Sequence, residues 1–236
     1  MNRSLGGFDG LASVYVWLER LAFGRDLESA RFCHFDQLQG CHRVLVLGEG
    51  DGRFLAQLVR RFPAMRIECL DASSAMLAKA EGRLSAEDRA RVNFRQEDAL
   101  LAQFGKDEYD AVVTLFFLDC FSAEEVAELI GRIQVALHDD ARWLWADFAL
   151  PQRGWRRWRA QLWLHGLYFF FRNQTAMTAR QLPPSEELLR ASGFMLSAEE
   201  SFQAGLLRSA VWRRGPHGKG SQTAIPSATP ASLQRA

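Results

Sequence analysis

Three glycines, Gly48, Gly50 and Gly52, alternate with acidic residues in a turn between an apolar run and a helical pattern. Glycine lets the backbone turn tightly and lets a ligand approach without a Cβ in the way. The helix that follows would direct its free N–H groups and the positive end of its dipole at that ligand. A dinucleotide fingerprint needs its third glycine one position later, where this chain has Arg53, so the spacing argues against a nicotinamide cofactor.

A second group able to bind a ligand is Asp71, which closes the next apolar strand along the chain. A carboxylate at this position can accept hydrogen bonds from both hydroxyls of a ribose. Open α/β sheets bind their ligands at the carboxyl ends of the strands, where the glycine turn and Asp71 would both lie. We therefore expect them to form one site for an adenosine-containing cofactor.

Alternating strand and helix segments would position these residues. Val44–Leu47 has no polar break, as expected for a strand buried on both faces of a parallel sheet. The next helical face stops at Pro63, a second helix is capped by Ser73 or Ser74, and a third begins with the capping box Ser122–Glu125. The pattern predicts a doubly wound, mostly parallel α/β sheet, with strands at 44–47, 66–70, 92–95, 109–115 and 142–147 and a last pair at 194–202 and 206–212.

Composition narrows the functional classes. A net charge of +1 gives no reason to expect nucleic-acid binding. The cysteines form no C-x-x-C pair, and the spacing of Cys33-His34 and Cys41-His42 fits no usual metal site, so neither a disulfide scaffold nor a metal is expected. Without a secretory signal or an apolar run of membrane-spanning length, the sequence predicts a cytoplasmic protein with reduced thiols.

The glycine turn, Asp71 and Asp98, an acid that follows the third strand, resemble those of the class I S-adenosylmethionine-dependent methyltransferases. The resemblance implies a Rossmann-like, seven-stranded sheet with an antiparallel last strand. It also implies that the glycine turn meets the methionine part of the cofactor, that Asp71 binds the ribose and that Asp98 binds the adenine amine. Many members have an acid where this chain has Val46 and a small residue where it has Glu49. The cofactor contacts implied are Gly48, Glu49, Gly50, Gly52, Asp71, Ala72, Met76, Asp98, Ala99 and Leu115.

The N-terminal segment, 8–32, has apolar residues at helical spacing. Its stretch from Phe8 to Tyr15, followed by Phe23-Gly24, is similar to the opening of ubiquinone- and menaquinone-pathway C-methyltransferases. There an Asp usually follows the tyrosine, whereas Val16 follows it here. The similarity implies that this segment lies across the cofactor and that Tyr15 contacts cofactor or substrate, with plain packing of an amphipathic helix as the alternative.

Residues 150–184 interrupt the alternation with a segment rich in aromatic residues and arginine. We interpret it as a helical lid over the substrate pocket, because its position after the fifth strand matches the substrate-facing insertion of the resembled family. An inserted helix that completes the core is the alternative. The part at 153–172 could also make peripheral contact with a membrane surface.

Methyl transfer is an in-line displacement in which the protein mainly orients donor and acceptor and excludes water. A general base is needed only if the acceptor must lose a proton. Asp119 after the fourth strand and His165 in the lid segment are the candidates, and Asp147 at the end of the fifth strand is a third. Capping a turn, packing in the core and holding a loop are their respective structural alternatives.

The sequence thus predicts a methyltransferase acting on a small, apolar, aromatic or lipid-like acceptor, with carbon, oxygen and nitrogen all open as the methylated atom. The Asn/Asp-Pro-Pro-aromatic motif of many amino-group methyltransferases is absent after strand four. The predicted parts are an N-terminal cap at 1–40, a methyltransferase domain at 41–214 and a disordered tail at 215–236. A non-catalytic cofactor-fold binding or membrane-surface module and, less favoured, an NAD(P)-dependent oxidoreductase are the alternatives.

Overall fold

A computed structural model of the protein describes residues 25–149 and 182–215. Within them, seven strands form one sheet in the order β3-β2-β1-β4-β5-β7-β6. Every neighbouring pair is parallel except those made by β7, which runs antiparallel to both β5 and β6. This confirms the predicted doubly wound α/β sheet with an antiparallel last strand. The strands are β1 Arg43–Leu47, β2 Arg66–Asp71, β3 Val92–Gln96, β4 Tyr109–Leu115, β5 Leu137–Phe148, β6 Phe194–Phe202 and β7 Leu207–Arg214.

Helices connect β1 to β2, β2 to β3 and β4 to β5, and local capping sets where several of them begin. The Ser73 hydroxyl accepts a hydrogen bond from the Met76 amide at 3.2 Å. The predicted capping box is present, with Ser122 and Glu125 each bonded to the other's backbone amide. The helices are α1 Asp26–Phe32, α2 Arg53–Arg61, α3 Ser74–Glu81, α4 Ala86–Arg89, α5 Ala123–Ala136 and α6 Ser185–Ala191.

The core lies on both faces of the sheet, as the uninterrupted apolar run of β1 predicts. Leu45 and Leu47 face a cluster that includes Ile130 of α5. Val44 and Val46 face the opposite cluster, which includes Leu55 of α2. Successive strand residues point to opposite faces, so a strand covered on both sides has no position left for a polar side chain.

The fifth strand differs from its prediction, because it begins at Leu137 and not at Arg142. Leu137 is buried and pairs with Tyr109 at the start of β4, but the register then shifts before Arg142 pairs with Ala111. The intervening stretch 138–140 has no buried residue and contains two aspartates, which are typical of turns. The register shift makes this stretch an irregular part of β5 between the paired positions Leu137 and Arg142.

Several sequence predictions lie outside the described residues. These are the contact made by Tyr15, the base His165, the N-terminal part of helix 8–32, and nearly all of the lid and the tail. The described part of the predicted N-terminal cap contains α1 and a short 3-10 turn at Phe35–Leu38. In the described ranges no helix is both long and apolar enough to cross a membrane.

Candidate functional site

The two outer glycines of the turn pack against neighbouring segments, whereas the middle glycine faces open space. All three glycines have positive φ, at 64° for Gly48, 71° for Gly50 and 82° for Gly52. A Cβ on Gly48 would lie 2.2 Å from a ring carbon of Phe117, and one on Gly52 would lie 2.3 Å from the Cα of Ala80. A Cβ on Gly50 would meet nothing within 4 Å. The outer glycines therefore permit packing, whereas Gly50 faces space that a ligand could enter.

Asp71 lies next to that open position, at the end of β2. Its Oδ1 accepts a hydrogen bond from the Ser73 amide at 2.9 Å. Burial raises the pKa of the Asp71 carboxyl, while the amides of Ser73 and Gly50 act in the opposite direction. The structure thus brings Gly50 and Asp71 together. They lie where the strand order reverses between β1 and β4, which is the usual ligand position in such sheets.

The remaining residues expected to contact the cofactor occupy the same end of the sheet. Asp98 follows β3, and its Oδ1 accepts a hydrogen bond from the Leu100 amide at 2.9 Å, so it also caps a turn. Ala99 is buried, whereas Met76 in the first turn of α3 is partly exposed. Partly buried positions are held by Ala72 after β2 and Leu115 at the end of β4.

Glu49 points inward and caps α2. Its Oε1 accepts a hydrogen bond from the Leu55 amide at 2.9 Å, at a helix start whose N-cap residue, Gly52, has no side chain to do so. The residue is 9% exposed. Burial raises the pKa of its carboxyl to about 7, although the Leu55 amide and the charge of Arg31 both lower it. Glu49 lines a small cavity together with Arg31, Val46, Leu47, Gly48, Phe54, Val113 and Leu115.

The chain leaves β4 through a strained residue that redirects it. Phe116 has φ of 57°, a left-handed conformation that costs a bulky residue about 1–2 kcal/mol. Its amide donates to the Ala146 carbonyl at 2.6 Å, and its ring lies against Phe148, with 5.4 Å between ring centroids. These contacts tie the turn after β4 to the end of β5. A 3-10 turn at Leu118–Cys120 follows directly.

That turn places Asp119 beside Asp147 of β5. The two carboxyl groups interact directly and are 9% and 2% exposed respectively. Burial raises the pKa of Asp119 to about 6. Burial and then the charge of Asp119 raise the pKa of Asp147 well above its usual range. The sequence identified both as separate candidates, and their pairing followed only from β4 and β5 being neighbours in the sheet.

Cys120 lies near this pair and also near Asp71. Its thiol donates to Asp119 Oδ1 at 3.7 Å. Its pKa is raised by burial and by the charges of Asp119, Asp147 and Asp71, so carboxyl groups from β2, β4 and β5 converge around it. Across the described ranges no group of three or more His, Cys, Asp or Glu side chains is arranged to hold a metal ion.

Comparison with known proteins shows which family the central part of the chain resembles. Residues 44–140 match the family described as "Methyltransferase domain". This stretch of the chain is similar to a methyltransferase domain. It includes the glycine turn, Asp71, Asp98 and Asp119, whereas Asp147 lies just beyond the matched range. No curated protein is significantly similar to the chain in sequence.

Solved structures with the same fold confirm the expected class I methyltransferase architecture. An O-methyltransferase family protein from Burkholderia thailandensis has a TM-score of 0.63 at 21% identity, covering 88% of this chain and 59% of its own. Mitomycin 7-O-methyltransferase MmcR has a TM-score of 0.63 at 19% identity, and the match covers 87% of this chain and 60% of that one. The chain thus spans about 60% of the length of these two proteins.

A third structure matches over most of both chains. It is the 1,6-didemethyltoxoflavin-N1-methyltransferase of B. thailandensis, with bound 1,6-didemethyltoxoflavin and S-adenosylhomocysteine. It has a TM-score of 0.59 and 19% identity, and the match covers 90% of this chain and 88% of that one. At such identities the likeness concerns the fold.

Proposed function

We propose that this methyltransferase domain binds S-adenosylmethionine across the glycine turn and Asp71 and transfers its methyl group to a small apolar or aromatic acceptor. The observation that carries the proposal is the open face of Gly50 beside the Asp71 carboxyl, at the reversal of strand order. The toxoflavin methyltransferase with S-adenosylhomocysteine bound gives further support.

The residues around this opening fit such a donor. Asp71 has one oxygen bonded to the Ser73 amide, which leaves its second oxygen to accept from ribose hydroxyls. Asp98 follows the neighbouring strand and would accept from the adenine amine, with Met76 as an apolar contact for the ring. S-adenosylmethionine supplies a methyl group on positively charged sulfur. The protein's part is to hold donor and acceptor in line and to exclude water.

Aromatic side chains next to Asp119 support an aromatic or apolar acceptor. Phe117 packs edge-on against Phe121, with 5.1 Å between centroids, next to the Asp119 turn. The similar structures include enzymes named for O- and N-methylation of small molecules, which supports a small ring-containing acceptor. The lid, the membrane contact through 153–172, the contact by Tyr15, the base His165 and the cytoplasmic location stay predictions.

Neither alternative function gains support from the described residues. Arg53 occupies the position of the missing third glycine, and its Nε donates to Asp51 Oδ1 at 3.0 Å. A dinucleotide fingerprint needs glycine there for close helix packing. No observation favours a non-catalytic module over an enzyme.

Calorimetric titration tests the donor site directly. We expect S-adenosylmethionine and S-adenosylhomocysteine to bind and NADH and NADPH not to bind. Asp71→Ala removes a charged acceptor whose hydrogen bonds are worth about 1.5–3 kcal/mol each, so affinity should fall about 10- to 100-fold. The matched control is Asp36→Ala, an exposed aspartate paired with Arg61 at the far end of α2. Equal affinity in Asp71→Ala, or binding of a nicotinamide instead, would refute the assignment.

A further inference from the structure

The two carboxyl oxygens of Asp147 differ in their hydrogen bonding. Its Oδ2 accepts a hydrogen bond from the Trp145 indole at 2.6 Å. Its Oδ1 is buried and has no hydrogen-bond partner in the described part of the chain. The backbone amides of Phe117 and Asp119 face the carboxyl and lower its pKa, but neither forms a hydrogen bond to Oδ1. A buried ionised oxygen without a donor is costly, and such groups are rare in native structures. The neighbouring Asp119 cannot relieve this cost as a carboxylate, because an ionised carboxylate only accepts.

A proton on Asp147 would remove the cost of burying this oxygen without a hydrogen-bond donor. We propose that Asp147 Oδ1 is protonated at neutral pH and donates a hydrogen bond to the ionised Asp119 carboxylate, which then serves as the base for an acceptor hydroxyl. Asp119 is the catalytic residue in this assignment and Asp147 is a positioning residue. The assignment rests on the proposed methyl transfer and deepens it by naming the acceptor as a small phenol or enol.

The groups facing the pair support this division of roles. Burial raises the pKa of Asp119 to about 6, while hydrogen bonds from the Cys120 thiol, from its own backbone amide and from Asp147 act in the opposite direction. A base with a pKa near the working pH is the most effective one. The other titratable groups are Cys120 on the same turn and Asp71 at the end of β2, which faces Cys120. Burial and the neighbouring carboxyl charges raise the pKa of Cys120 well above its usual value, so its thiol stays neutral. The charge that favours the protonated form of Asp147 is therefore that of Asp119.

The acceptor class follows from what a base is needed for. A neutral amine already presents a lone pair, whereas a hydroxyl becomes a strong nucleophile only as it loses its proton. In the proposed step the acceptor oxygen bonds to the methyl carbon as the carbon–sulfur bond breaks, and the sulfur keeps that electron pair. The hydroxyl proton passes to Asp119 and from there to solvent. The products are a methyl ether, S-adenosylhomocysteine and one proton.

Carboxyl titration by NMR of the full chain labelled with ¹³C-aspartate tests the shared proton without any acceptor. We expect one buried carboxyl to remain protonated at neutral pH and this signal to vanish in Asp147→Asn. In Asp119→Asn the pKa of Asp147 should fall, because the neighbouring charge is gone. Asp147→Ala should raise the pKa of Asp119 by removing its donor, whereas Asp147→Asn, whose amide can still donate, should not. Two ionised carboxylates at neutral pH in the wild-type protein would overturn the proposal.

Turnover of matched acceptors tests the role of the base. With labelled methyl donor, 1-naphthol should be methylated in preference to 1-naphthylamine. Asp119→Asn should lower kcat by about 10²- to 10⁴-fold, the usual contribution of a general base. Asp147→Asn should restore most of the activity lost in Asp147→Ala, and Asp36→Asn should match the wild type. Preference for the amine, or no effect of Asp119→Asn, would refute the acceptor class.

Binding of S-adenosylhomocysteine separates this inference from the proposed function. Both Asp119 and Asp147 variants should retain that binding if only proton handling is altered. If the wild-type protein does not bind S-adenosylhomocysteine, the proposed function is refuted. The NMR titration then still decides whether Asp119 and Asp147 share a proton. A normal cofactor titration with two ionised carboxylates would refute only the inference.

Discussion

Glu49→Gln should make the stability of this protein less sensitive to pH. The substitution keeps an oxygen that can accept from the Leu55 amide and removes the buried charge. A carboxyl whose pKa is raised by folding binds its proton more tightly in the folded state than in the unfolded chain. The stability that depends on this proton is complete below about pH 4.5 and is lost as pH rises to about 7.

The magnitude follows from that change in pKa. One pKa unit corresponds to about 1.36 kcal/mol, so a rise from 4.5 to about 7 destabilises the ionised form by about 3 kcal/mol. This is a large part of the stability of an ordinary domain, about 5–15 kcal/mol. The free energy of unfolding of Glu49→Gln, relative to wild type, should therefore increase by about 3 kcal/mol between about pH 4.5 and pH 8.

Urea unfolding at several pH values measures that difference. Comparing variant with wild type cancels the contributions of all other titrating groups, provided that the slope of each curve is unchanged. Glu87→Gln is the matched control, because Glu87 is an exposed glutamate in the first turn of α4. A pH-independent difference for Glu49→Gln would refute the reasoning. A difference of opposite sign would mean that the charge of Arg31 outweighs burial.

Two further predictions concern glycines and donor charge. Gly52→Ala should destabilise the protein in urea unfolding because its Cβ would lie 2.3 Å from Ala80, whereas Gly131→Ala, on an exposed helical position with nothing within 4 Å, should stabilise it by about 1 kcal/mol. In calorimetry, S-adenosylmethionine should release more protons than S-adenosylhomocysteine near pH 7, because its positive charge would lower the pKa of Glu49, which burial raises to about 7. Equal proton release would contradict this electrostatic coupling.

The geometry of the proposed donor site was predictable from sequence because its signals are local. The turn at Gly48–Gly52 follows an apolar strand directly and precedes a helix, so strand, turn and helix start lie within one short stretch. Asp71 similarly ends its own strand, and the capping box at Ser122 needs only the residue three positions on. Periodicity, glycine and capping all act over a few residues, and sequence patterns report such effects well.

The acceptor half was less predictable because it depends on contacts between distant segments. The register that pairs Leu115 with Ala146 brings Asp119 next to Asp147, and no local pattern specifies that register. Sequence patterns also did not predict that Glu49 points inward and caps α2. The missing side chain at Gly52, the N-cap position, was the available signal, because an uncapped helix start leaves amides that some other acceptor must satisfy.

The carboxyl edge of the sheet carries four acids whose pKa values are all raised: Glu49, Asp71, Asp119 and Asp147. Burial is the first cause in each case, so each group is held in its neutral form more firmly than its type would suggest. Such a set is poorly suited to an anionic ligand and well suited to a cation, whose charge would offset the cost of ionising them. A sulfonium donor is cationic and its thioether product is not. The same electrostatics that keep this edge partly protonated would therefore favour the methyl donor over the spent product, at the point where one must replace the other.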